Sequence, residues 1–329
     1  MGSQVAGRAE WCAAIRVARG EDIWASAPVT ISTWLLLEHP GPWPSHGLPD
    51  DLDDATVLVL KAAEERGVRV QLIRRVRDRR RPVREVILAG RGGERGWAER
   101  REIASLAELS TLDLDALGAG TAPGFGDGVD PGTPVVLVCT HGRRDVCCAR
   151  LGRPVAVELD AALPGQVWET THIGGDRFAA NVVTLPGGQY HGGLTVEDAR
   201  RMADAIRDGE VVLDRWRGEC GVPSAEQAAV YFVQRHLGDP RLGAARALPV
   251  AAAVASDEPV MWLEVAVTAG SAGDFRVSLR PIVLGERKTS CADGGAIGTP
   301  AGFELVSLVK GPDGPDAQQP GAVGFSAQV

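Results

Sequence analysis

This chain has few lysines, no basic excess, no long apolar run and too few cysteines to staple a fold with disulfides. Only Lys61, Lys288 and Lys310 break an otherwise arginine-only cationic set, a coding bias rather than a binding signal. The 43 acidic against 35 basic residues leave a formal charge of −8, which argues against general nucleic-acid affinity, since that needs a basic face. The first 21 residues lack the apolar core of a secretory signal. No stretch reaches the roughly 18 apolar residues of a membrane span. A cytoplasmic protein without membrane partners is therefore expected. Six cysteines in 329 residues are not a disulfide framework. What is present is an ordinary globular composition, 44% apolar and 24% charged, and three cysteines crowded between positions 139 and 148.

The first half reads as α/β. Thr33–Glu38 (TWLLLE) is a short apolar strand closed by a proline-rich turn. The spacing predicts a helix from Asp53 to Arg66, stopped by Gly67, and a half-buried strand over Val68–Ile73, with Arg84–Leu88 as its partner. The run from Arg74 to Arg81 reads as a solvated hairpin tip in preference to a phosphate site, because like charges need water. Residues 110–133, rich in Gly, Asp and Pro, read as a linker.

The second half opens with the buried-type strand Pro134–Cys139. Val167–Thr171 and Ala179–Leu185 are further strands. Thr195 caps a helix running to Asp208, and Ser224 with Gln227 suggests a capping box on a second, Ala225–Leu237. Alternating strands follow, such as Pro259–Val267 and Phe275–Ile282, and then a Gly, Pro and Gln tail from residue 311 that reads as disordered.

The segment Cys139-Thr-His-Gly-Arg-Arg-Asp-Val-Cys-Cys148 admits three readings. A phosphatase or rhodanese loop needs an arginine six residues after its cysteine, where Asp145 stands instead. A dithiol redox site wants C-x-x-C, which is absent. Metal binding suits the C-x8-C spacing of Cys139 and Cys148, with His172 and Asp176 four residues apart on a second, glycine-containing loop. Two ligands from each of two loops can surround a two-iron cluster, whereas structural zinc prefers closer pairs. Cys12, Cys220 and Cys291 have no partner at ligand spacing and read as isolated thiols. His39 reads as a structural hydrogen-bonding residue, and Trp168 as core.

Cys12, the stretch Trp34-Leu-Leu-Leu-Glu-His-Pro-Gly-Pro-Trp43, the cysteine segment and Val167-Trp-Glu-Thr-Thr-His-Ile-Gly-Gly-Asp-Arg-Phe-Ala-Ala-Asn181 together resemble the sucrase/ferredoxin-like family, a branch of thioredoxin-like [2Fe-2S] ferredoxins, over roughly residues 10–310. The resemblance implies a [2Fe-2S] cluster held by Cys139, Cys148 and His172, with Asp176 at the position of a second histidine. An aspartate oxygen there favours ferric iron. Cys147, and more remotely His141 and His191, are the other candidates for the fourth ligand. Arg177 would offset cluster charge, or pair with Asp145 or Glu169, and Asn181 would bond the ligand loop. The redox partner implied is of the flavoprotein reductase or ferredoxin kind. Sugar hydrolysis, suggested by half of the family's label, needs two carboxylates at a cleft, and only Glu169 and Asp176 are near. The expected architecture is an α/β half (1–125), a related thioredoxin-like ferredoxin domain (126–240), a small β extension (241–310) and the tail (311–329).

Overall fold

A computed structural model describes residues 10–77, 81–92, 96–130, 132–249, 253–254, 262–292 and 295–311. In chain order the elements are α1 (Cys12–Ala18), β1 (Thr33–Glu38), α2 (Asp54–Glu65), β2 (Arg69–Arg75), β3 (Arg84–Gly90), β4 (Trp97–Ile103), α3 (Leu114–Gly118), β5 (Asp127–Gly128), β6 (Val135–Cys139), α4 (Val146–Ala162) and β7 (Val167–Thr170). There follow β8 (Val182–Leu185), β9 (Gln189–His191), α5 (Val196–Asp208), β10 (Trp216–Glu219), α6 (Ser224–Leu237), β11 (Arg246–Ala247), β12 (Ala253–Val254), β13 (Trp262–Thr268), β14 (Asp274–Val283), β15 (Arg287–Lys288), β16 (Ile297–Gly298) and β17 (Ala301–Lys310).

Ten strands form one mixed sheet in the order β10-β9-β8-β6-β7-β2-β1-β3-β4-β5. The same pattern occurs twice within it. β1 runs parallel to β2 and antiparallel to β3, as β6 runs parallel to β7 and antiparallel to β8. The halves meet edge to edge where β2 and β7 pair antiparallel, Ile73 opposite Thr170 and Arg75 opposite Trp168. The two repeats of this pattern thus share one continuous sheet.

Strand alternation sorts the core. Leu35 and Leu37 face α2, where Leu60 and Ala63 are buried, while Val136 and Val138 face Leu159 of α4 and Met202 of α5. The strand register places both groups on the same side of the sheet. Trp34, Leu36, Leu137, Cys139 and Trp168 face the other side, in a cluster that also holds Cys12, Cys147 and Cys148. Burial on both faces explains why this strand, β1, is apolar from Trp34 to Leu37.

Four readings are corrected. β3 pairs with β1 and β4, not with the Val68–Ile73 strand, because that strand is already flanked by β1 and β7. The segment 110–133 carries α3 and β5 and buries Leu112, Leu117 and Phe125, so it is packed chain rather than linker. The ends of the arginine run are bound, not solvated: Arg74 pairs with Glu169 at 2.7 Å and lies over Trp43, and Arg75 lies over Trp168. Its centre, residues 78–80, falls outside the described residues, as do residues 312–329 of the tail. The Ser224–Gln227 capping box does not form. Gln227 instead reaches Ala27 and Val222, tying α6 to the chain before β1. The helix α4, with Asp145 as its N-cap, was not legible, because strand, loop and cysteines mask its start. The Thr195 cap is present, with Asp198 completing a capping box.

The β extension packs β13, β14 and β17 on α6 through Val265, Val267, Phe275, Val277 and Leu279. Among the described residues, no helix is long and apolar enough to cross a membrane.

Candidate metal centre

Cys139 is the last residue of β6 and stands opposite Thr170, the last of β7. Because the two strands are parallel neighbours, the loops that follow them leave from the same edge of the sheet, the usual place for ligands in such sheets. One loop turns into α4 and brings Cys148. The other carries His172 and Asp176.

The ligand atoms of Cys139, Cys148 and His172 lie within 4.8 Å of one another. Asp176 joins them, its Oδ1 3.0 Å from His172 Nδ1 and accepting from Cys148 Sγ at 3.7 Å. The four residues singled out from the sequence are therefore brought together. Both thiols are fully buried and His172 is half-buried.

The backbone around His172 is fixed from three sides. Its carbonyl accepts from Arg69 at 2.6 Å and Gln71 at 3.2 Å, and its N–H donates to His141 Nδ1 at 3.3 Å. Accepting at Nδ1 leaves His141 protonated at Nε2, which donates to the Pro44 carbonyl at 2.8 Å. With both nitrogens used, His141 positions the ligand loop and is not itself a ligand. His191 lies elsewhere, accepting from the Val212 N–H. His39 donates from Nε2 to the Asp51 carboxylate at 3.0 Å and serves the first half structurally.

Gly174 and Gly175 take positive φ (92° and 79°), which lets the loop turn back on itself. Behind the turn lies Arg217, buried and not recognised in the sequence. It donates to the Gly174 carbonyl at 3.1 Å and to Asn181 Oδ1 at 2.9 Å, and its guanidinium leaves no room for a side chain at Gly175. Asn181 in turn donates to the Gly175 carbonyl at 2.8 Å, the loop bond expected of it. No local signal marks Arg217, since it lies on β10, far along the chain. Gly152 of α4 approaches the Cys139 carbonyl so closely that any side chain would collide, so this glycine sets how near the helix comes to the site.

Arg177 does not turn to Asp145 or Glu169. It pairs with Glu21 at 2.5 Å and stacks on Phe178. Glu169 is fully buried, bonded to Arg74 and to Thr140 Oγ1 at 3.1 Å, so no pair of free carboxylates forms with Asp176.

Without a metal, the electrostatics favour the ligating form at Cys139 and Asp176 only. Hydrogen bonding to Cys139 and Cys147, with burial, pushes the Cys148 thiol well up, and a metal would displace protons from Cys148 and His172. The Cys148 hydrogen bond holds the Cys139 thiol well below its ordinary value against the effect of burial, with His172 assisting. Burial favours a neutral His172, but Asp176 and Cys139 push it up to about 9. Asp176 stays low despite burial, because His172 faces it. His172 Nδ1 is buried yet makes no aligned hydrogen bond. Two thiols, an imidazole and a carboxylate form a donor set that fits iron or zinc and not calcium or magnesium.

Cys147 points away from this group. Successive helical residues diverge by about 100°, so Cys148 faces Cys139 while Cys147 faces Cys12, Cys291 and Asp145. Cys12 and Cys291 are thus not isolated. Cys220 is buried without a cysteine neighbour in either group.

A groove of about 1110 Å³ lies at the opposite end of β7, lined by Arg75, Arg77, Arg81, Glu85 and Glu102 among others. Among the described residues its arginines Arg75, Arg77 and Arg81 are engaged with the carboxylates of Glu85, Asp160 and Glu102.

The model of the sucrase/ferredoxin-like family matches residues 27–218, more than half of the chain, and the chain belongs to that family. The match is narrower than the 10–310 suggested by the sequence. It takes in Cys139, Cys148, His172 and Asp176 and leaves out Cys12 and Cys291. The curated relatives include altered inheritance of mitochondria protein 32 from Meyerozyma guilliermondii, 33% identical over 95 residues (26% of this chain, 34% of that protein). The protein of the same name from Debaryomyces hansenii is 29% identical over 102 residues, 27% of this chain and 37% of its own length. The aligned part thus spans about a third of these relatives. No solved structure matches.

Proposed function

We propose that this protein holds a [2Fe-2S] cluster on Cys139, Cys148, His172 and Asp176 and passes single electrons to a redox partner, a flavoprotein reductase or another ferredoxin. When bound, such a cluster supplies one-electron chemistry. The observation that carries this reading is the convergence of two buried thiols with an imidazole whose buried Nδ1 makes no aligned hydrogen bond. Membership of the family supports it, as does the strand order of each half, which is the order of a thioredoxin-like domain.

The chain's own contributions follow from the geometry. Cys139 and Cys148 supply sulfur, and His172 and Asp176 supply nitrogen and oxygen. Arg69, Gln71 and His141 lock the peptide of His172, so its ring keeps one direction. Arg217 places a positive charge behind the ligand loop, which offsets the charge of an anionic cluster. The apolar wall of Trp168 and Ile173 keeps water away.

A cluster-free binding or structural protein is the competing reading. Asp176 favours it, because its carboxylate accepts from Cys148 and faces His172 Nδ1 at 3.0 Å as a charge partner, engaging two would-be ligands without a cofactor. Anaerobic purification from iron-replete cells, followed by visible and electron paramagnetic resonance spectra and by iron and sulfide analysis, separates the two. Two irons and two sulfides per chain support the cluster. A colourless, iron-free product leaves the cluster-free protein.

A further inference from the structure

We propose that Cys12, Cys147, Cys291 and Asp145 form a second, structural metal site, suited to Zn2+ and sharing no ligand with the cluster site. Their ligand atoms lie within 4.8 Å of one another. Cys147 Sγ is 3.3 Å from Cys12 Sγ and 4.0 Å from Cys291 Sγ. Zinc–sulfur bonds of about 2.3 Å in tetrahedral geometry separate two sulfurs by about 3.8 Å, between these values. Three thiols select a soft or borderline ion over magnesium or calcium.

The surroundings are built to hold such a set. Asp145 accepts the N–H groups of Cys147 at 2.9 Å and Cys291 at 2.7 Å, and the Ser290 hydroxyl at 3.0 Å. The Cys12 N–H points at Cys291 Sγ at 3.2 Å, the N–H to sulfur contact that steadies a metal thiolate. Cys147 lies in the first turn of the 17-residue α4, whose N-terminal dipole favours a thiolate. Without metal, the Cys147 thiol bonds Asp145 Oδ1 at 2.7 Å. A divalent ion replaces that proton and releases the thiol protons to solvent, with no change of oxidation state.

The site also has something to fasten. Cys12 and Cys291 stand outside the family segment, 279 residues apart, and Cys147 stands within it. The segment around Cys291 is bordered by β15 and β16, two-residue strands too short to stand alone. A metal there braces both flanks of the chain onto the start of α4.

The test uses the full chain, reduced and free of oxygen, titrated with Co2+ alone as a spectroscopic stand-in for zinc. In a Cys139→Ser/Cys148→Ser background, which disables the cluster site, the expected result is a thiolate-to-cobalt charge-transfer band of three-thiolate intensity, displaced by Zn2+. Cys291→Ser, at the half-exposed rim, removes about a third of the band and weakens zinc binding by about tenfold or more. Cys12→Ser does the same. Both leave the iron and sulfide content of the otherwise native chain unchanged. A band that survives Cys12→Ser/Cys291→Ser, or no band in the folded background variant, overturns the proposal. So does a Cys12–Cys147 disulfide, seen as a mass two hydrogens lighter in protein purified without air. Should the buried Cys12→Ser variant fail to fold, Cys291→Ser alone decides. Iron-free protein that still shows the cobalt band would remove the cluster and leave this site standing.

Discussion

Cys147 and Cys148 are adjacent in the chain, yet their sulfurs enter two different groups of ligands, Cys148 with Cys139 and His172, Cys147 with Cys12 and Cys291. The cause is helical. Both belong to the first turn of α4, which Asp145 caps through the Cys147 N–H, and a rotation of about 100° per residue directs them apart.

That divergence predicts unequal mutants. Cys139→Ser and Cys148→Ser should abolish retention of iron and sulfide, since each removes one of two thiolates. Cys147→Ser should keep the cluster, because its sulfur faces Cys12 at 3.3 Å. Visible absorbance per chain after anaerobic purification measures this. Equal loss in all three would mean that the two groups act as one.

The sequence revealed the first group because its members sit at motif spacing: the C-x8-C pair ends a buried strand, and His172 with Asp176 follows another. Strands such as TWLLLE were legible for the same reason, an apolar run between turn residues. The second group was not legible. Cys12 and Cys291 meet only through tertiary structure, and no spacing encodes a contact across 279 residues. Arg217 escaped likewise, because a lone arginine on a strand looks like any solvated charge until Ser26, Gly174 and Asn181 are seen around it. The pairing of β3 with β1 was misread because adjacency in sequence favoured β2, whereas β2 spends its free edge on β7.

Asp176 is the position at which the site departs from a histidine pair. A carboxylate stabilises ferric iron more than a neutral imidazole does, so Asp176→His should raise the reduction potential, by on the order of 100 mV. The residue is buried beside His172, and the added ring must fit between the loops, so cluster content is measured first. A potential that is unchanged or lower in a fully loaded variant would show that Asp176 does not touch iron.

Arg217 is the buried cation that holds the ligand loop. Arg217→Met preserves much of the side-chain volume but strands the Gly174 carbonyl and Asn181 Oδ1 without their donor. Each buried acceptor left unpaired costs about 1–3 kcal/mol, so a loss of about 3 kcal/mol in unfolding free energy is expected. Denaturant titration reads this. Faster loss of iron from the native state should accompany it, since the loop carries His172. A stability change within about 0.5 kcal/mol would assign Arg217 no positioning role.

His191 makes stability depend on pH in a defined direction. It is fully buried on β9, accepts the Val212 N–H at 3.3 Å, and burial lowers its pKa to about 3. The unfolded ring titrates near the ordinary value of about 6.5. Above that value both states hold a neutral ring and the contribution is complete. As pH falls, the unfolded chain takes up the proton and the folded chain does not, so stability is lost by up to about 1.4 kcal/mol per pH unit until the folded pKa is reached. His191→Gln, which cannot titrate, should show a shallower decline between about pH 6 and 4 by one proton's worth of slope. The other histidines cancel in the comparison. Parallel slopes for the two proteins would mean that the ring protonates in place and that its burial carries no penalty.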